Sequence, residues 1–265
     1  MVPVDVDGLT DVTTTASSRS TLTLPAGATV NRAWIVWGSQ SVGGVSAADY
    51  RNVQLISPAD PTPVPYTANA ASVGNAVHAI AEVTEQVRGA GAGVYTFGSI
   101  GGYADIGTNR SGGWTLVVQY DRSTDPMRTL VVLDGLVHIA GSEQRIALGV
   151  LGGDLPAEGA KARIGLVSWD GDQGVTGDSA TVTSGATPTA VELADALNPV
   201  NDVFNSTISV GGFLATGRTP NLPNTLGFDA DLFDVTVYGG GAATLTVTSV
   251  DDAIDLGLVT LSIPV

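Results

Sequence analysis

The chain has 265 residues, no cysteine, and a formal charge of −15 from 11 basic and 26 acidic side chains. That length supports a hydrophobic core without covalent staples, and the missing thiols exclude a disulfide framework, thiolate metal centres and a cysteine nucleophile. The charge opposes an approaching phosphate backbone, which argues against nucleic acid as a partner, and no apolar run nears the ~20 residues of a membrane span.

Only Glu82, Glu85, Glu143, Glu158 and Glu192 are glutamates, so 26 − 5 = 21 of the acids are aspartates. Aspartate forms turns and offers oxygen ligands from loops, whereas glutamate favours helix faces, so the composition predicts a loop-rich, helix-poor chain. Lysine occurs once, at Lys161. Met1-Val2-Pro3 opens neither a signal nor a transit peptide, and the sequence as it stands is expected to be soluble.

In chain order, Val2, Val4 and Val6 alternate with Pro3, Asp5 and Asp7, the period of a half-buried strand that Pro3 confines to a sheet edge or strand start. A threonine- and serine-rich connection leads to Thr21–Leu24, and ATVNRAWIVW, Ala28–Trp37, reads as a buried strand. Val53–Ile56, Val77–Ile80 and Val94–Ile100 are further strands. Between the last two, Val83 and Val87 sit one helical turn apart before a capping Gly89, which predicts a short helix. Trp114–Tyr120 and Thr129–Leu133, separated by a charged turn, read as a β-hairpin, and Gln144–Leu151 as the next strand.

Lys161–Ser179, KARIGLVSWDGDQGVTGDS, then carries an apolar run into an acidic, glycine-spaced loop. Aligning Trp37 with Trp169 sets PAGATVNRAWIVW beside PAEGAKARIGLVSW. A second collinear match pairs residues 81–100 with 233–250, and a third pairs Trp114–Tyr120 with Leu258–Ile263. The set predicts an internal duplication. The second copy is longer, holding the acidic loop and Thr187–Leu197, where a capping Thr187, Pro188 and a terminating Pro199 predict a helix.

Asp170, Asp172 and Asp178 lie in DGDQGVTGD, whose glycines supply the curvature that turns several oxygens toward one point, and calcium takes about six to eight oxygens. The loop is not an EF-hand, because Thr181 stands where that motif needs a bidentate glutamate; the alternative is a solvated acidic loop. In FDADLFD, the spacing of Phe228 and Leu232 fits one helical turn with Asp229 and Asp231 near its N-terminal end, as caps or as ligands of a metal shared with the 170s loop. No G-x-S-x-G, Walker or H-E-x-x-H signature occurs, and His78 and His138 stand sixty residues apart, so no enzyme is expected. Trp34, Trp37, Trp114 and Trp169 sit in or beside apolar strands, where core packing outweighs a sugar-stacking role.

GGWTLVVQYD (112–121), AEVTEQVRGAGAGVYT, SWDGDQGVTGDS, NDVFNSTIS and LGFDADLFDV together resemble a β-rich domain of unknown function found near the N-termini of large secreted or wall-attached bacterial surface proteins. The resemblance covers most residues from about 15 to 265 and implies a cell-surface or matrix role with no established activity. Against that family the chain shows no export signal, stalk or anchor, which suits an excised module or a free-standing subunit.

The expected fold is all-β: two tandem, jelly-roll-like antiparallel β-sandwiches with short inserted helices, residues 1–140 forming the first with its N-terminal strand and 141–265 the second with the acidic loop. The expected function is that of a non-enzymatic extracellular or cell-surface structural and adhesive module, calcium-stabilised through Asp170, Asp172 and Asp178. Its partner is a protein or a second copy, with filaments formed by strand donation from Val2, Val4 and Val6. The alternative is a carbohydrate-binding module that takes a glycan on an exposed tryptophan.

Overall fold

The computed structural model describes Val6 and residues 17–41, 47–99, 110–151, 155–156 and 158–265. The protein is all-β, 61% strand and 4% helix. Among the described residues no helix is long and apolar enough to cross a membrane. The chain divides into two compact units, Met1–Asp125 with Thr216–Leu222, and Pro126–Ala215 with Pro223–Val265. The division falls at 125/126 and not at 140/141, because one uninterrupted strand, Arg128–Val150, runs through the expected boundary.

The first unit comprises β1 (Ser17–Leu22), β2 (Thr29–Ser41), a 3-10 turn (Ala47–Tyr50), β3 (Asn52–Ile56), β4 (Val64–Thr67), β5 (Ala70–Val73), β6 (Ala76–Glu82), α1 (Thr84–Ala90), β7 (Gly93–Gly98) and β8 (Arg110–Asp121). One sheet runs β5-β6-β2-β8 and a second includes β1-β7-β3-β4. Both sheets feed one buried cluster: Ala33, Ile35 and Trp37 come from β2, Val53 and Leu55 from β3, and Tyr95 and Phe97 from β7. Burying a side chain of this size contributes about 1.5–3 kcal/mol, so this alternation decides which face of each strand turns inward. The short helix forms where Val83 and Val87 predicted it, and Val87 is fully buried. Its C-cap is Gly91 and not Gly89, because the left-handed backbone, φ 69°, falls there.

The second unit comprises β9 (Arg128–Val150), β10 (Ala160–Trp169), β11 (Asp178–Ser184), β12 (Thr189–Glu192), β13 (Ile208–Val210), β14 (Phe213–Leu214), β16 (Phe228–Val237) and β17 (Ala242–Pro264). The intervening β15 (Arg218–Thr219) pairs with β1 of the first unit's sheet. The eight-stranded sheet is ordered β12-β11-β17-β10-β16-β13-β14, with β9 also paired to β17. β17 is 23 residues long and serves two groups of neighbours. Its first half pairs with β11, its second half with β10, and both halves pair with β9, the register shifting between Ser249 and Ala253. A register shift of this kind bends a strand, and the bend lets both halves of one sheet face a common core. Leu245 and Val247 from the first half therefore share a cluster with Leu256 and Val259 from the second, and with Ile164, Leu166 and Phe233.

Several expectations need correction. Trp114–Tyr120 and Thr129–Leu133 do not form a hairpin: they belong to β8, which pairs with β2, and to β9, which pairs with β17. Apolar strands adjacent in sequence have equally apolar partners elsewhere, so adjacency alone did not fix the pairing. Thr187–Leu197 is not helical; its middle forms β12, where Thr189 and Val191 pair with β11, and an irregular segment follows. β-branched residues beside a free strand edge outweigh a proline-punctuated helix signal. FDADLFD is likewise strand, the start of β16, paired through its length with β10.

Candidate functional site

The acidic loop leaves β10 at Trp169, and its aspartates separate at once. Asp172 is exposed and donates only its backbone amide, to Asp252 Oδ2 at 3.2 Å. Asp170 is half-buried with φ 74°. Asp178, the first residue of β11, points inward and is fully buried. Its Oδ1 accepts the backbone N–H groups of Val203 at 2.6 Å and Phe204 at 2.9 Å.

Those two amides belong to an irregular segment between β12 and β13 that is buried from Val203 to Thr207. A buried loop must find hydrogen bonds for its backbone without a neighbouring strand, and here carboxylates supply them. Asp229 Oδ1 accepts the Thr207 N–H at 3.0 Å, and the backbone N–H of Asn205 also favours the ionised form of that carboxylate. Ser206 Oγ donates to the Gly171 carbonyl at 2.5 Å and accepts the Gly227 amide at 2.7 Å, tying the segment to the acidic loop. The segment is thus clasped between Asp178 and Asp229.

Asp229 and Asp231 share the inward face of β16 with Phe233, at 1%, 3% and 2% exposure. Asp231 Oδ1 accepts from Ser209 Oγ at 2.6 Å, and Asn198 links Ser209, Thr207 and Asp195 into one buried network. Among the described residues no basic side chain pairs with Asp178, Asp202, Asp229, Asp231 or Asp252. Burial raises all five carboxyls above their ordinary range: Asp229 well above it, with repulsion from Asp231 and Asp178 adding to the effect, Asp231 to about 7 and Asp252 to about 6. Asp178 Oδ2, Asp202 Oδ1, Asp229 Oδ2 and Asn205 Oδ1 are buried and make no hydrogen bond among the described residues.

Of the expected metal set, only Asp178 enters this cluster as a buried, partly unpaired side chain. Asp202, Asn205 and Asp252 were missed, because they stand in short polar stretches without periodicity. Their legible signal was position: NDVFN and VDDA lie where the chain leaves or bends between strands. No group of three or more acidic, histidine or cysteine side chains among the described residues stands ready to hold a metal ion.

The other candidates lie elsewhere. Val6 belongs to no strand, and its amide donates to Ser17 Oγ at 2.7 Å; Val2 and Val4 lie outside the described residues. Trp37 and Trp169 are fully buried, and Trp114 stacks on Phe97 with centroids 5.3 Å apart. His138 Nδ1 lies 2.8 Å from Asp255 Oδ1, and His78 is buried in β6. Lys161 Nζ donates to Thr236 Oγ1 at 3.2 Å.

No family model and no curated protein matches the chain. Among solved structures it is similar to the major capsid protein P2 of bacteriophage PM2, at 12% identity and TM-score 0.26, over 94% of this chain and 98% of that one. It is also similar to a structure of infectious bursal disease virus Gx strain, at 11% identity and TM-score 0.31, over 99% and 75%. A third similarity is to the triple jelly roll fold of an archaeal virus, at 13% identity and TM-score 0.24, over 94% and 56%. At these scores the likenesses add nothing to the strand pairings described above.

Proposed function

We propose that this chain is a non-enzymatic structural module, extracellular or at a cell surface, that assembles through the edge of its second unit. The observation that carries the reading is β9. Strands usually run to about 5–6 residues. β9 has 23, pairs with β17 alone among the described residues, and buries only Ile139 and Leu148 of its described side chains. Its other edge offers backbone donors and acceptors to an incoming strand, and Thr129–Leu133 contains none of the prolines or charges that blunt such edges. Over Thr129–Leu133, ahead of Asp134, such an edge suits strand addition, in which main-chain hydrogen bonds give affinity and alternate side chains give register.

The finer reading is that the donor is the N-terminal segment of a second copy, in whose sequence Val2, Val4 and Val6 alternate with Pro3, Asp5 and Asp7, and that a head-to-tail contact of this kind propagates into a filament. We also read the two units as tandem, jelly-roll-like sandwiches that arose by duplication. The support is strand order, since β6-β2-β8 and β16-β10-β17 place the strands that carry Trp37 and Trp169 in the middle. The surface location rests on the sequence resemblance.

Light scattering on the full chain over rising concentration tests the reading. Mass should grow with concentration, and Leu130→Lys with Val132→Lys on the outward face of β9 should hold the chain monomeric. Deleting residues 1–12 should have the same effect if the N-terminus is the donor. A wild-type chain that stays monomeric at millimolar concentration defeats the proposal.

A further inference from the structure

The buried clasp has more negative charge than its surroundings satisfy. Two fully buried carboxylates, Asp178 and Asp229, grip one backbone segment with one oxygen each, and the second oxygen of each has no hydrogen-bond partner among the described residues, nor has Asn205 Oδ1 between them in sequence. A buried carboxylate is stable when it is paired, when it coordinates a metal or when it takes up a proton. The first is excluded among the described residues, where none of the ion pairs involves these two acids.

Gly171 shows where the oxygens gather. A Cβ there would lie 2.3 Å from the Phe204 carbonyl oxygen and 2.5 Å from Asp229 Oδ2, so these two oxygens converge on one point beside Gly171. The same segment is also held by Asp178, through the Val203 and Phe204 amides, and Asp178 and Asp229 are close enough for their charges to oppose each other's ionisation. Every donor on offer is an oxygen, and the set contains neither imidazole nor thiolate. That chemistry selects a hard cation, and several protein oxygens in an irregular, buried arrangement suit calcium better than magnesium, which demands near-octahedral geometry and keeps its waters.

We propose that a calcium ion binds in the second unit between the acidic loop and the 203–207 segment, held by Asp178 Oδ2, Asp229 Oδ2, Asn205 Oδ1 and the Phe204 carbonyl. The set has only two carboxylates, in keeping with the absence of any three-acid group among the described residues. Asp202 adds a further negative charge near the ion. Asp172, central to the loop expected from sequence, takes no part. The proposal stands independently of assembly through β9.

The test is a titration of the full chain, stripped with EDTA, with calcium chloride, followed by calorimetry and by thermal melting. Terbium offers a second readout, since Trp169 lies two residues before Gly171 and can sensitise its luminescence. One ion should bind per chain, and the melting temperature should rise with calcium excess over its dissociation constant. Asp229→Asn should lose at least tenfold in affinity while its calcium-free melt stays at or above that of the wild type, because the amide removes an unpaired buried charge. Asp172→Asn should keep its affinity within twofold. No binding heat and no shift of the wild-type melt at millimolar calcium would overturn the proposal without recourse to any variant. So would undiminished affinity in Asp229→Asn, or a loss in Asp172→Asn equal to that in Asp229→Asn.

Discussion

Trp37 in β2 and Trp169 in β10 are both fully buried and both tilt against a phenylalanine, Phe97 at 5.9 Å and Phe228 at 6.1 Å. The segments downstream of the two tryptophans differ in kind. After Trp37 the polar needs are met by neutral groups: its indole N–H donates to the Tyr50 carbonyl at 2.7 Å, and the Tyr50 hydroxyl donates to Ser39 at 3.3 Å. After Trp169 the chain turns into carboxylates that carry a buried loop and keep oxygens in reserve. A shared strand order therefore fixes the frame, and the segments between strands decide whether that frame merely closes or also presents a charged interior.

The comparison breaks most severely at the tryptophans themselves. Trp37→Ala and Trp169→Ala should each destabilise their own unit by about 3–5 kcal/mol, read from denaturant midpoints, with the other unit's transition unmoved. A loss under about 1 kcal/mol at either site contradicts the equivalent roles given to the two indoles. Gly171→Ala probes the charged interior alone. Its Cβ collides with the Phe204 carbonyl, so a loss of about 1–3 kcal/mol is expected in the second unit, together with weaker calcium binding.

Acidity separates the units more gently. The Asp252 carboxyl is pushed up to about 6, chiefly by burial. A carboxyl with a raised folded-state pKa contributes stability below its unfolded value near 4, and that contribution is lost as pH rises through the folded value. The calcium-free second unit should therefore melt lower at pH 7 than at pH 4.5, and Asp252→Asn should flatten that slope; a slope unchanged in the variant assigns the effect to other acids. The smallest effect belongs to the first unit. Gly89 lies within α1 with open space at its Cβ, so Gly89→Ala should stabilise by about 0.5–1 kcal/mol.

Most of the frame was legible in the sequence because alternation and apolar runs report burial directly, as at β2, β3, β6, β7 and β10. Reading failed where burial was polar. In FDADLFD the inward residues of β16 are Asp229, Asp231 and Phe233, a period of two that vanishes once aspartate is taken to mean solvent. The spacing of Phe228 and Leu232 then imitates a helix. The same assumption kept Asp178 grouped with Asp170 and Asp172 as loop ligands, although it begins a strand whose alternate residues are buried. Pairing between distant strands, such as β9 with β17, left no local trace.

That last pairing sets an order of events in biosynthesis. Arg128 meets Pro264 across 136 positions of chain, and β17 is the partner that β9, β10 and β11 share. As the polypeptide leaves the ribosome, β10 can join β16 and β11 can join β12, but β9 has no partner among the described strands until β17 has emerged. Closing so long a loop is slow, and the edges it leaves open meanwhile are those most prone to pair with the wrong neighbour. The second unit is thus built to mature only after translation has passed it, and while it waits it has most need of a chaperone or a dilute compartment.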